Sequence, residues 1–375
     1  MRFKELDGLR GLAALSVVLY HFSGHYNTYY PQDPRPLIDI WWGAFGVQLF
    51  FLISGFVILM SADNARQTSD FVISRFSRLY PVYWVALIVG VAMGLIFAVP
   101  HVPLAVDVVV MNITMIQRWF LVPNVLDVFW TLAVEMQFYA LLFALLVFTR
   151  CRLTEKLVVR VVLVWLMACL MVALWAFPTT HGVDPQAVPT SVKLIVNVLL
   201  ASYGPLFCTG MLAFISRRNG RRHWLLLPSA VIAAVTTGLI EEWVNGGIVA
   251  LICFGFIIVS LRKETRLLYL APLQWLGKVS YSLYLIHSIV GIVVIHLLSP
   301  YIGRAAATIL AFITVLFCAW LLWVGAEQFL SRRVRAWLLR ARDALPRRGR
   351  PREAAHGGWR RKRSGGPQQV IASDS

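Results

Sequence analysis

Ten runs of about 20 apolar residues divide this 375-residue chain. They lie near residues 8–25, 42–62, 81–99, 122–148, 157–177, 192–215, 224–240, 246–261, 276–298 and 305–329. The hydrocarbon core of a bilayer is about 30 Å thick, which takes roughly 20 residues of helix at about 1.5 Å each. Lipid offers no hydrogen bonds, so a spanning segment must pair its own backbone groups. The runs therefore predict an all-α, polytopic transmembrane helix bundle of about ten spans. Composition agrees: 59% of residues are hydrophobic and 14% charged, against roughly 45–50% and about 25% in soluble chains. The runs near 122–148 and 305–329 are long enough to tilt or to include a re-entrant piece. Those near 224–240 and 246–261 are short, and Glu241 and Glu242 mark the turn between them.

The cations alternate along the connections. One set holds Lys4, Arg66, Arg75, Arg78, Arg150, Arg152, Arg217, Arg218, Arg262 and the C-terminal tail; the other holds only Arg35, Arg118, Lys193 and Arg304. Lys and Arg accumulate on the cytoplasmic side of membrane proteins, so both termini are expected there. Arg2 and Lys4 ahead of an apolar run imitate a signal peptide. Glu5, Asp7 and Arg10 interrupt the run and no small-residue cleavage site follows, so a retained first span is expected. The chain divides into a transmembrane domain over 1–335 and a basic tail over 336–375. Residues 331–375 carry 13 Lys/Arg and 3 Asp/Glu. From 340 onward the composition cannot bury a core and predicts disorder. Such a tail suits the anionic inner leaflet, at about 1 kcal/mol per basic residue. Nucleic acid is not expected, because Trp359 is the one aromatic among the cations of residues 340–375 and stacking platforms need more. The five cysteines show neither paired nor metal-ligand spacing, so no disulfide or metal site is expected.

Polar residues inside apolar runs are costly and mark function or structural pairing. Arg10 and His21 are eleven positions apart, which at about 100° per residue returns them to one helix face, roughly 16 Å apart along the axis. Histidine titrates near neutral pH and can take a proton from a hydroxyl; His25, one turn on, reads as interfacial. Arg10 and His21 can also be read as residues that snorkel to the two interfaces. In the second run, Ser54 and Gly55 can bring a hydroxyl and an accessible backbone to a ligand, or pack small residues between helices. Arg75 and Arg78 stand at i, i+3 and can hold phosphate oxygens of a ligand or of lipid. Ser69 or Asp70 can cap that segment, and Pro81 is expected to bend it into the third span. Glu135 needs a partner; Arg10 and His21 are available, and Tyr139 lies one turn away. Ser280, Tyr281, Ser282, Tyr284 and His287 make the first half of the ninth run polar, for packing or for a ligand.

Taken together, ELDGLRGLAALSVVLYH, FFLISGFVI, SRFSRLYPVYW, FWTLAVEMQFY and SYSLYLIH resemble acyltransferase family 3 of integral membrane proteins, in the family's order over residues 5–287. Its members include O-acetyltransferases of O-antigen and exopolysaccharide sugars. The resemblance implies acyl-coenzyme A, most often acetyl-CoA, as cytoplasmic donor and a glycan or lipid-linked sugar as acceptor, at the bacterial inner membrane. It implies that His21 is the catalytic base of an arginine–ten residues–histidine motif begun by Arg10. It also implies that Arg75 and Arg78 hold the coenzyme A phosphates and that Glu135 is the glutamate of the fourth-span motif. Met136 stands where many members have a second glutamate, and Ser288-Ile289 where many have tryptophan and proline.

The function expected is transfer of an acyl group to a sugar hydroxyl, directly or through an acyl-histidine. The rival is a transporter or flippase of a glycan or lipid precursor. Transporters often carry internal repeats, and the two halves of this chain show none.

Overall fold

A computed structural model describes residues 3–184, 186–262 and 265–344. Among these residues the regular structure is entirely helical. The elements are α1 (Lys4–Phe22), α2 (Tyr26–Tyr29), α3 (Gly46–Asp63), α4 (Thr68–Phe97), α5 (Val106–Ile113), α6 (Phe129–Phe148), α7 (Glu155–Thr180), α8 (Thr190–Val198), α9 (Gly204–Asn219), α10 (Leu226–Ile240), α11 (Trp243–Leu261), α12 (Ala271–Ile302), α13 (Arg304–Leu322) and α14 (Ser331–Ala344). Seven helical segments are long and apolar enough, by length and composition, to cross a membrane: Trp41–Asp63, α4, α6, α7, α11, α12 and the continuous stretch from α13 through α14.

The three remaining expected spans fall short of that measure for separate reasons. Helix α1 has the length, but Glu5, Asp7 and Arg10 break its apolar run. Helix α10 has 15 residues. The run near 192–215 is divided: Leu200 takes φ 53°, and Pro205 opens α9 in its first turn. Two further expectations are corrected. The extra length near 122–148 is neither tilt nor re-entrant helix, because α6 begins only at Phe129 and the preceding segment is irregular. Pro81 does not bend the chain into a new element, because α4 runs unbroken from Thr68 to Phe97. Asp70 does act at its start: its carboxylate accepts the Gln67 backbone N–H at 3.2 Å, in a capping box.

The tail expected to be disordered is ordered at its beginning. Helix α14 continues to Ala344, and Arg342 binds Asp70 at 2.6 Å, fixing α14 on the start of α4. Residues 345–375 lie outside the described residues.

Helix α12 is the centre of the bundle, with 72% of its most apolar stretch buried, against 28% in α7. Helix α1 lies along it and also packs on α3. A Cβ on Gly277 would collide with the Asp7 carbonyl oxygen, so α12 and α1 touch backbone to backbone there. Close approach of this kind maximises dispersion contact where lipid provides no hydrophobic drive. It also sets the polar faces of α1 and α12 against each other.

Candidate active site

Helix α4 carries Arg75 and Arg78 on one face, toward α1, α3 and α6. There they line two cavities that share Arg10, Val57, Arg75 and Arg78. The wider, about 760 Å³, opens between α1, α4, α12 and α14 and is lined by Asp7, Lys278, Glu327, Arg332 and Arg335 besides the shared arginines. That volume is in the range of small-molecule and cofactor sites. The narrower, about 80 Å³, runs inward between Ser54, Thr131, Glu135, Tyr139, Ser280, Tyr281 and Tyr284. Arg10, Ser54, Arg75, Arg78 and Glu135, five residues singled out from sequence, thus converge on two adjoining cavities.

Each is held differently. Arg75 donates through Nη2 to Ser61 Oγ and Ser74 Oγ, both at 3.2 Å, and lies 6.0 Å from the Tyr139 ring centre. Its buried Nε has no partner among the described residues. Glu135 is not paired with Arg10 or His21. Its Oε1 accepts from Ser54 Oγ at 2.8 Å and from Tyr139 OH at 2.6 Å. The i, i+4 spacing of Glu135 and Tyr139 foretold the second of these bonds. Gly55 lines neither cavity. A Cβ there would collide with the Phe207 carbonyl oxygen, so Gly55 serves the α3–α9 crossing and not a ligand.

Glu327 was not singled out from sequence. It lies in a π-helical stretch, Trp323–Leu330, that joins α13 to α14. Ser282 Oγ donates to its Oε2 at 3.2 Å. π-Helical turns interrupt regular helices mostly where function needs a displaced side chain. Only the acidic residue within an apolar run could have marked it.

His21 is absent from both cavities and stands at the other end of α1, in a cluster of four. His21 Nε2 is 3.3 Å from Asp127 Oδ2, His25 Nε2 is 3.2 Å from the same oxygen, and His21 Nδ1 is 3.2 Å from His287 Nε2. The hydrogen bonds assign the protons. His287 Nδ1 faces two carbonyl oxygens, Leu283 at 3.2 Å and Tyr284 at 2.8 Å, so it carries its proton and leaves Nε2 as acceptor. His21 Nδ1, facing that acceptor and the Val17 carbonyl at 2.9 Å, must then donate. Nε2 faces the Asp127 carboxylate and bonds to it only as N–H, so the contacts as they stand are those of the imidazolium; the neutral ring is the Nδ1–H tautomer, with its lone pair on Nε2. Tyr20 OH lies 3.0 Å from His25 Nδ1, so His25 donates from Nε2 to Asp127.

Asp127 sits in the irregular segment ahead of α6. Burial opposes its ionisation, yet the charges and hydrogen bonds of His21 and His25 outweigh this and hold its carboxyl well below the usual range. The ligand atoms of His21, His25 and Asp127 lie within 4.8 Å of one another, a grouping that can also take a metal ion. The bonds of Asp127 to both rings account for the approach without one.

The cavity and the histidine cluster meet through α12. Tyr284 lines the narrow cavity, and its OH is 2.8 Å from Thr131 Oγ1. Its ring centre is 5.7 Å from that of His287, which is 4.7 Å from that of His21. The loop after α1 is tied down beside the cluster. Asp33 takes a hydrogen bond from Tyr26 OH and pairs with His296 Nδ1 at 3.0 Å. Arg304 donates to the Phe22 carbonyl oxygen at 2.9 Å and lies 3.7 Å over the Tyr26 ring, a cation at a helix C-terminus.

Comparison with known proteins matches residues 3–324 to the acyltransferase-domain family. The peptidoglycan O-acetyltransferase OatA of Listeria monocytogenes is 25% identical over 321 residues, covering 76% of this chain and 48% of that protein. Acyltransferase MdmB of Streptomyces mycarofaciens is 30% identical over 206 residues, 53% of this chain and 52% of that one. The exopolysaccharide production protein ExoZ of Rhizobium meliloti is 28% identical over 271 residues, 66% and 76% of the two chains. The chain spans about half the length of the first two relatives. No solved structure matches it. The family match begins ahead of α1 and ends inside the π-helical stretch. It takes in the histidine cluster, the inner slot and the shared arginines, while Glu327, Arg332 and Arg335 of the wider cavity lie beyond it, and this chain belongs to acyltransferase family 3.

Proposed function

We propose that the protein transfers an acyl group, most often acetyl, from coenzyme A to a hydroxyl of a cell-surface or lipid-linked sugar, in the bacterial cytoplasmic membrane with both termini cytoplasmic. The reading rests above all on one observation: an arginine-lined cavity adjoins, across its shared arginines, a slot lined by Tyr284, whose ring packs on His287 of the histidine cluster. The cavity end suits a phosphorylated donor entering from the cytoplasm. The histidine end suits a hydroxyl arriving from the other side. The names of the relatives add acetyl transfer and the polysaccharide class of acceptor.

Coenzyme A brings the acyl group as a thioester, an activated carbonyl. Arg75 and Arg78 hold its phosphates, since guanidiniums bind phosphate oxygens in pairs and the Arg75 Nε is left with a free donor. His21 Nε2 takes the proton of the acceptor hydroxyl. The freed oxygen attacks the thioester carbonyl; a C–O bond forms, the C–S bond breaks, and the sulfur leaves with the proton returned by His21. Asp127, 3.3 Å from Nε2, stabilises the imidazolium while it lasts. His287 positions His21 by accepting from Nδ1, which keeps the lone pair on the reacting side.

The test is O-acetylation of surface polysaccharide in a deletion strain. Acetylation should vanish, return with the wild-type gene and stay absent with His21→Ala. Purified wild-type protein should release coenzyme A from acetyl-CoA when a sugar acceptor is present. Full acetylation by a well-expressed His21→Ala protein, or purified protein that turns over no acetyl-CoA, would overturn the proposal.

A further inference from the structure

The wide cavity carries more positive charge than two arginines explain. Six cations line it, Arg10, Arg75, Arg78, Lys278, Arg332 and Arg335, against the two carboxylates Asp7 and Glu327. They fall into two groups. Arg10, Arg75 and Arg78 also line the inner slot; Lys278, Arg332 and Arg335 line only the outer cavity. Lys278 and Arg335 make no hydrogen bond or ion pair among the described residues. Arg332 and Arg335 share one face of α14 at i, i+3. That helix is fastened by the Arg342–Asp70 bridge, so its arginines stand at the cavity and not at a loose end.

We propose that Lys278, Arg332 and Arg335 form a second phosphate subsite, which takes the terminal phosphomonoester of the donor's nucleotide. The proposal rests on the coenzyme A reading above. Coenzyme A carries two separated phosphate groups: a diphosphate next to the pantetheine arm and a 3′-phosphate on the ribose beyond it. If the arm enters the slot, the diphosphate meets the shared arginines and the ribose phosphate meets the outer group. A phosphomonoester carries about −1.5 to −2 at neutral pH, and with the diphosphate the donor's charge roughly balances the excess of cations over carboxylates in the cavity. The first arginines of α14 are on this account part of the donor site and not a lipid anchor.

The experiment compares binding of coenzyme A and dephospho-coenzyme A, which lacks the 3′-phosphate, to the full chain. Measurements are made in vesicles of neutral lipid and of neutral plus anionic lipid. Wild type should prefer coenzyme A by about tenfold or more, as expected for loss of a charge-assisted pair. The double variant Arg332→Ala/Arg335→Ala should lose that preference while binding dephospho-coenzyme A as wild type does. Arg335→Lys should keep most of it, which separates lost charge from lost fold. Equal binding of the two ligands by wild type would overturn the second subsite while leaving the coenzyme A reading intact. So would an unchanged preference in the double variant, with a loss confined to anionic vesicles that assigns the arginines to lipid phosphate. If wild type binds neither ligand, both proposals fail together.

Discussion

The two ends of α1 solve different problems. At Arg10 the surroundings are a cavity over-supplied with cations, of which Lys278 and Arg335 make no hydrogen bond or ion pair among the described residues. At His21 they are closed, and the four central polar groups are joined by a chain of hydrogen bonds, with Asp127 Oδ1 left without a partner among the described residues. An unpaired cation at the rim of a cavity is ready to bind an anion. A histidine whose tautomer is fixed on one nitrogen is ready to take a proton on the other. Under the proposed function, the comparison assigns donor binding and proton transfer to separate regions, joined by the polar half of α12.

The largest effects should come from the closed end. His21→Ala should lower kcat by about 10²–10⁴-fold, the usual worth of a positioned base, with donor affinity unchanged. Asp127→Asn should cost nearly as much, because Asn can present its amide to His21 and disturb the tautomer. If either variant instead raised the donor Kd in proportion, the division of labour would be wrong.

Smaller and different in kind is the effect at the open end. Arg78→Ala should weaken donor binding by roughly 10–100-fold, the worth of a hydrogen bond to a charged group, with kcat nearly kept. Isothermal titration beside steady-state kinetics reads both numbers. Between the two regions lies Glu135. Glu135→Gln keeps an acceptor for Ser54 and Tyr139 and should cost no more than about tenfold in kcat. Glu135→Leu leaves two hydroxyls unpaired and should cost about 1–3 kcal/mol in stability, measured by thermal unfolding in detergent.

The least effect on catalysis is expected at Gly55. Gly55→Ala forces the α3–α9 crossing apart at the Phe207 carbonyl. It should lower thermal stability by about 1–3 kcal/mol while leaving kcat per folded molecule unchanged. A changed donor affinity with normal stability would return Gly55 to the binding site.

Much of the open end was legible because its residues break a local pattern. A charge inside an apolar helix stands out, and Arg10, Arg75, Arg78 and Glu135 all do; the helical period already placed Arg75 beside Arg78. Asp127 stood inside the run expected near 122–148 and was passed over; the structure puts it in the loop ahead of α6, and only the meeting of α1 with that loop makes it a partner of two histidines. His287 was noticed but had no partner in sight, since His21 is 266 positions away. Arg332 and Arg335 were only counted among the C-terminal cations of 331–375, because nothing local shows that α14 turns back onto α4. Span boundaries failed where single residues overrode hydropathy, as Leu200 and Pro205 do by dividing the sixth run.

The central claim is that one end of α1 binds and the other transfers. Single-turnover acetyl transfer at saturating acetyl-CoA tests it most directly, with Arg78→Ala and His21→Ala side by side. Excess donor should restore most of the wild-type rate to Arg78→Ala and none of it to His21→Ala. An Arg78→Ala protein that stays inactive at saturation, or a His21→Ala protein that recovers, would contradict the account.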